Sequence, residues 1–129
     1  MKCLIVESNE ALGQLWTKHL IRLNVEVTLA TTGERALNLI QSHAFDVIVL
    51  DLVLDEGSAL AVADFAQFRQ PEANVVFVTD TTFFSDGSIF RHSANARAFI
   101  ESATPPDDLA AIVQHYGHIS PARGGHPDQ

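Results

Sequence analysis

A chain of 129 residues suits one domain, and its hydrophobic fraction of 47% is ample for a core that buries about two-thirds of the unfolded surface. Eight basic residues against sixteen acidic give a net charge of −8, a field that opposes nonspecific binding to nucleic acid or to an anionic membrane. No apolar run nears the roughly 20 residues of a membrane span, no secretory leader precedes the first strand, and the lone Cys3 has no internal partner, so a soluble cytoplasmic protein with a buried structural thiol is expected.

Apolar runs alternate with helical patterns along the chain. Leu4 to Val6 reads as a first strand. Leu12, Leu15, Trp16, Leu20 and Leu23 recur at helical spacing, with Trp16 assigned to the core and Asn9 placed to cap the start. Val25, Val27 and Leu29 alternate with polar residues, as a half-covered edge strand would. Ala36, Leu37 and Ile40 form a short second helix face. Val47 to Leu50 is apolar throughout, as a central parallel strand covered on both faces must be. Ala59 to Phe68 reads as an alanine-rich third helix, and Val75 to Val78 repeats the central-strand pattern. A weak fourth helix is expected around Ile89 to His92, then a short strand at Ala98 to Ile100. Thr104-Pro105-Pro106-Asp107 opens the last helix, with threonine at the cap, proline in the first turn and aspartate three residues on. That helix runs to about Tyr116. The domain then spans residues 1–117, and the polar, Gly- and Pro-rich stretch 118–129 reads as a flexible tail or the start of a linker.

Five strand-then-helix units imply an α/β fold with a doubly wound parallel sheet. The flavodoxin-like (βα)5 arrangement with strand order 2-1-3-4-5 fits best, because it makes the two alternating strands edges and the fully apolar ones central. In such a sheet, ligands bind at the carboxyl ends of the strands. Asp51 ends the third strand there, and Glu7 and Ser8 end the first. Glu7-Ser8-Asn9-Glu10 stands where a nucleotide-binding fold carries its glycine-rich phosphate loop, which argues against a nucleotide binder or a flavodoxin-like enzyme.

These residues carry a resemblance. Glu7-Ser8, Asp51, Thr79 and the Phe99-Ile100-Glu101-Ser102 stretch sit where the receiver domain of two-component response regulators keeps its site. Residues 45–54, FDVIVLDLVL, are similar to that family's phosphoacceptor strand. Residues 55–60, DEGSAL, resemble one version of the loop that follows, and residues 31–37, TTGERAL, look like the family's second-helix entry. The resemblance runs from residue 1 to about 116. It implies Asp51 as the phosphoacceptor candidate and Thr79 and Phe99 as switch positions.

It also shows what is missing. The family holds Mg²⁺ with two adjacent acids and the phosphoacceptor, and steadies the phosphoryl group with a lysine. Here one acid is lengthened to Glu7 and the other is replaced by Ser8. The lysine position falls on Ser102, with no lysine anywhere after Lys18. Asp80 follows Thr79 where a small residue is usual, and Asp55 replaces a proline. Glu7 and Asp51, with a backbone carbonyl and waters, are then the candidate metal ligands, and Mg²⁺ is expected to bind weakly and not to be required, since it favours carboxylate ligands in octahedral geometry. Ser8 has the alternative job of capping the first helix.

The expectation is a degenerate acidic pocket of Glu7, Ser8, Asp55 and Asp80 around Asp51, in a binding module rather than an enzyme. Its partners are a second copy of itself or another signalling protein, a histidine kinase among them, with no nucleic-acid or membrane role. The alternative is a conventional phosphorelay receiver that takes phosphate from a histidine kinase on Asp51. The expected interaction surface is the face of the fourth helix, fifth strand and fifth helix, where Phe83, Phe84, Ile89 and Phe90 crowd apolar surface. A symmetric dimer through that face is expected.

Overall fold

Successive residues of an extended strand point to opposite faces, so a run that is apolar throughout forms two layers of core at once. The computed structural model, which describes residues 1–79 and 96–118, is built on that rule. Its strands are β1 (Lys2–Val6), β2 (Glu26–Ala30), β3 (Val47–Asp51), β4 (Asn74–Thr79) and β5 (Ala96–Glu101). Its helices are α1 (Glu10–Arg22), α2 (Gly33–Ser42), α3 (Ala59–Arg69) and α4 (Pro106–Gly117). All strand pairings are parallel, in the order β2-β1-β3-β4-β5 that the patterning predicts.

One face of the sheet carries Leu4, Val6, Ile48, Leu50, Val75 and Phe77 against α2 and α3. The other carries Cys3, Ile5, Val47, Val49, Val76 and Val78 against α1 and α4. Cys3 is fully buried, and desolvation pushes its thiol far above the ordinary range, so it is an inert packing group. Trp16 is fully buried too.

The helices begin where side chains accept their first free amides. Asn9 accepts from the Leu12 amide, Thr32 from Arg35 and Ser58 from Ala61. Three details depart from the sequence reading, and the exposure of Phe68 is one it did not address. Thr104 does not cap α4: that position falls on Pro105, with no side-chain bond, because Pro106 already supplies the helical φ of the first turn. Leu15 and Leu23 are exposed at 40% and 37%, because α1 turns only the stripe of Gly13, Trp16 and Leu20 fully inward. Phe68 at the end of α3 lies almost wholly in solvent. Ser8 does not cap α1, since Asn9 does.

The helix predicted around Ile89 to His92, the residues Asp80, Phe83, Phe84, Ile89 and Phe90, and the tail beyond residue 118 lie outside the described residues. No helix among the described residues is long and apolar enough to cross a membrane.

The segment after β3 is fastened to the start of α2. The Gly33 amide donates to the Glu56 carbonyl at 2.9 Å. Gly57 adopts φ +96°, and a β-carbon there would lie 2.9 Å from the Gly33 Cα. Glycine is required twice over, by backbone conformation and by space. Gly57→Ala is expected to destabilise the domain by about 1–3 kcal/mol, read as a lower urea midpoint at unchanged slope. An unchanged midpoint would show that the two loops part without loss.

Candidate functional site

Three loops meet at the carboxyl edge of the sheet, those after β1, β3 and β5. Glu7, Ser8, Asn9, Leu12, Asp51, Val53, Asp55 and Ser102 line a cleft of about 450 Å³ there. The crossover rule explains the convergence, because each strand of a parallel sheet delivers the start of its loop to the same edge. The predicted Glu7, Ser8, Asp51, Asp55 and Ser102 all line this cleft. Thr79 ends β4 and is 6% exposed, and its carbonyl accepts from the Ser102 amide at 2.9 Å. Phe99 does not line the cleft. It stacks on Phe77, ring centres 5.4 Å apart, and packs against the core on the α2–α3 face.

Glu7 is only 2% exposed. Its extra methylene does not carry the carboxyl away from Asp51. The side chain folds inward, its Oε2 accepts from the Asn9 amide at 3.0 Å, and its carboxyl meets the Asp51 side chain. Two carboxyl groups hydrogen-bond only when one of them holds a proton. The Glu7 pKa is accordingly pushed up to about 8, first by burial, then by the bond to Asp51 and the negative charges of Asp51 and Asp55, against the lowering effect of the Asn9 amide. With Glu7 ionised, its Oε1 is buried with no hydrogen-bond donor.

The remaining polar groups are committed to the loops. Asp51 Oδ1 accepts from the Val53 amide at 3.0 Å. Ser8 Oγ accepts from the Asp55 amide at 2.8 Å, tying the loop after β1 to the loop after β3. Nothing in the sequence marked that tie. Serine reads as a cap or a lost ligand, and its partner lies 47 residues away.

Glu7 and Asp51 supply two carboxylates to a metal. Among the described residues no three His, Cys, Asp or Glu side chains are placed to hold one ion, and the Ser8 oxygen is engaged with the Asp55 amide.

A family model for the response regulator receiver domain matches residues 3–114. No curated protein matches the chain. Among solved structures, the chain is similar to a CheY-like response regulator receiver domain from Methanospirillum hungatei, at 22% identity and TM-score 0.82, covering 90% of this chain and 92% of that one. It is also similar to the N-terminal domain of a three-domain response regulator/sensory box/GGDEF protein from Carboxydothermus hydrogenoformans, at 26% identity and TM-score 0.79, covering 91% and 94%. A third is the receiver domain of a sensor histidine kinase from Pseudomonas aeruginosa, with a magnesium ion coordinated in its active-site cleft, at 17% identity and TM-score 0.78, covering 90% and 96%.

The raised Glu7 pKa has a direct consequence for stability. Between the ordinary value of 4.5 and about 8, the folded chain keeps a proton that the unfolded chain releases. The contribution is therefore fully present below 4.5 and is lost as pH rises through about 8. Glu7→Gln, which keeps the neutral shape, should match the wild type near the lower limit and exceed it by about 1–3 kcal/mol above the upper one. Urea denaturation at fixed ionic strength with a chelator present measures this. Parallel pH profiles for the two proteins would refute it.

Proposed function

Since the chain belongs to the response regulator receiver domain family, we propose that within two-component signalling it acts as an atypical receiver, a protein-interaction module whose output depends little on phosphorylation. The state of the acidic cleft carries this reading: Glu7 is buried with its carboxyl on Asp51, and Ser8 is tied to the Asp55 amide.

Phosphoryl transfer to Asp51 needs an ionised, accessible oxygen and positive charge to offset the charge that develops on the phosphoryl group. Asp51 has one oxygen on the Val53 amide and the Glu7 carboxyl against it. The described residues lining the cleft include no basic side chain, and Ser102 stands where the family's lysine is expected. Asp55 adds negative charge. Glu7 and Asp51 are the residues that would hold Mg²⁺, in roughly the millimolar range or more weakly. The ion would supply the missing positive charge.

The interaction surface proposed for this module is the exposed side of β5 and α4 together with the stretch holding Phe83, Phe84, Ile89 and Phe90. A groove of about 370 Å³ between β5 and α4, lined by Ala98, Phe99, Ile100, Ile112 and Tyr116 among others, supports that choice. Among the described residues β5 also pairs with β4 alone, which makes it an edge strand. The second reading, a conventional phosphorelay receiver phosphorylated on Asp51 by a histidine kinase, is supported by Asp51 and Thr79 standing at the carboxyl ends of adjacent strands.

Incubation with acetyl phosphate and 10 mM Mg²⁺ is expected to leave most of the protein at its unmodified intact mass. Rapid gain of one phosphoryl group, absent in Asp51→Asn, would establish the second reading. In the same assay Ser8→Asp should tighten Mg²⁺ binding. Tight binding by the wild type, with no gain from that change, would overturn the metal argument.

A further inference from the structure

Among the described residues β2 pairs with β1 alone. In a parallel ladder, alternate residues turn their backbone groups to opposite sides. The Glu26 amide donates to the Met1 carbonyl, and the Ala30 carbonyl accepts from the Glu7 amide. Glu26, Thr28 and Ala30 therefore face β1, and the amides and carbonyls of Val27 and Leu29 face the open edge. An unpaired edge is ordinarily guarded by proline, lysine or a bulge. β2 reads Glu-Val-Thr-Leu-Ala, keeps an unbroken register with β1, and carries its one charge at the first residue. The opposite edge strand, β5, has a register shift against Val75 and Val76. Only Ala30 of β2 is buried, and Val27, Thr28 and Leu29 are each partly exposed.

The edge is complementary to itself. Antiparallel pairing about a two-fold axis through Thr28 sets Val27 opposite Leu29 of the second copy, and Leu29 opposite its Val27. Both pairs are of the kind that exchanges two N–H···O bonds, so every edge-facing group of the two strands is satisfied and no other register does this. Thr28 meets Thr28 of the second copy, a favourable cross-strand pair. Glu26 falls opposite Ala30, so no like charges face each other. The flanks agree in charge. Ser42 of α2 lines one cavity with Glu26 and Thr28. Arg35, exposed and two turns earlier on the same row of α2, lies toward the Ala30 end, because α2 runs back along β2. Pairing thus brings Glu26 of each copy beside Arg35 of the other. On the other face Gly13 of α1 lies against Leu29, and its row continues through Thr17 to Ile21, which is 55% exposed and gains cover. A chain of net charge −8 repels its copies in general, so self-association needs a face with matched charges, and this edge has one. We propose that two copies of this chain pair through β2, joining their sheets into one. The pairing goes beyond the atypical-receiver reading and leaves β5 and α4 free for a different partner.

The test uses the full chain. Sedimentation equilibrium from about 10 µM to 1 mM is expected to show a monomer–dimer equilibrium. Thr28→Lys sets two ammonium groups face to face at the axis and should weaken the dimer about tenfold or more, with the urea midpoint of the dilute monomer kept near that of the wild type. Glu26→Arg should weaken it too, and adding Arg35→Glu should restore it. Thr28→Cys should cross-link to its copy under mild oxidation, since their Cα atoms lie about 4.5 Å apart, whereas Val27→Cys, set opposite Leu29, should not. The cross-link keeps the proposal testable if Thr28→Lys fails to fold. A monomer across the whole range, a dimer that survives Thr28→Lys, or equal cross-linking at positions 27 and 28 overturns the proposal. A dimer lost with Phe83→Ser and Phe84→Ser but indifferent to position 28 moves self-association to the other face and overturns it as well. Protection of the Val27 and Leu29 amides from exchange that appears only when a different protein is added makes the edge a docking strand for that partner, which also defeats self-pairing.

Discussion

The contact between the Glu7 and Asp51 side chains governs the chemistry of this domain. A parallel sheet delivers its strand ends to one edge, so an acid ending β1 and an acid ending β3 are neighbours whether or not their charges are compatible. Burial of Glu7 and its contact with Asp51 both favour the protonated form of Glu7. Glu7 thus has its pKa pushed up to about 8 by burial and by Asp51. Every ligand argument about Asp51 begins with what displaces that proton.

The frame around this contact is stiffened from three directions. Ser8 holds the Asp55 amide, Gly33 holds the Glu56 carbonyl, and Asp51 holds the Val53 amide, so the loop after β3 is fixed at successive points along its length. Each bond is modest, worth about 1 kcal/mol net. Together they define the course of the loop. The serine at position 8 therefore has a structural role, its oxygen accepting from the Asp55 amide.

The sheet was legible in the sequence because its signal is redundant. Four consecutive apolar residues at Val47 to Leu50, and again at Val75 to Val78, admit little but a central parallel strand, and the alternation at Val25, Val27 and Leu29 marks an edge. That Glu7, Ser8, Asp51, Asp55 and Ser102 share one edge was legible too, since strand ends and strand order together say which residues meet, whereas Asn9, Leu12 and Val53 in the cleft wall were not read as part of it. Its internal wiring was not. Whether Glu7 points inward, and whether Ser8 caps a helix or holds a loop 47 residues away, depends on rotamers and on long-range contacts that no local pattern encodes. The same applies to the Gly33–Gly57 contact, where two glycines are meaningful only as a pair. The α1 stripe failed in part for another reason: leucine spacing shows that a helix has an apolar side, but only the packing shows how wide a strip the sheet covers, and Leu15 and Leu23 fell outside it.

Fold and site separate cleanly in this architecture. The sheet is held by its two apolar layers, none of which includes a residue of the cleft other than the partly buried Leu12. Substitution at positions 7, 8, 51 or 102 therefore changes chemistry at little cost to folding, apart from the charge balance between Glu7 and Asp51. That freedom is not symmetrical. Returning a carboxylate to position 8 keeps an acceptor for the Asp55 amide, but it adds a fourth acid beside Glu7, Asp51 and Asp55, and the repulsion is relieved only if a cation arrives with it. A carboxylate at position 8 is therefore expected to raise metal affinity and the dependence of stability on the metal together.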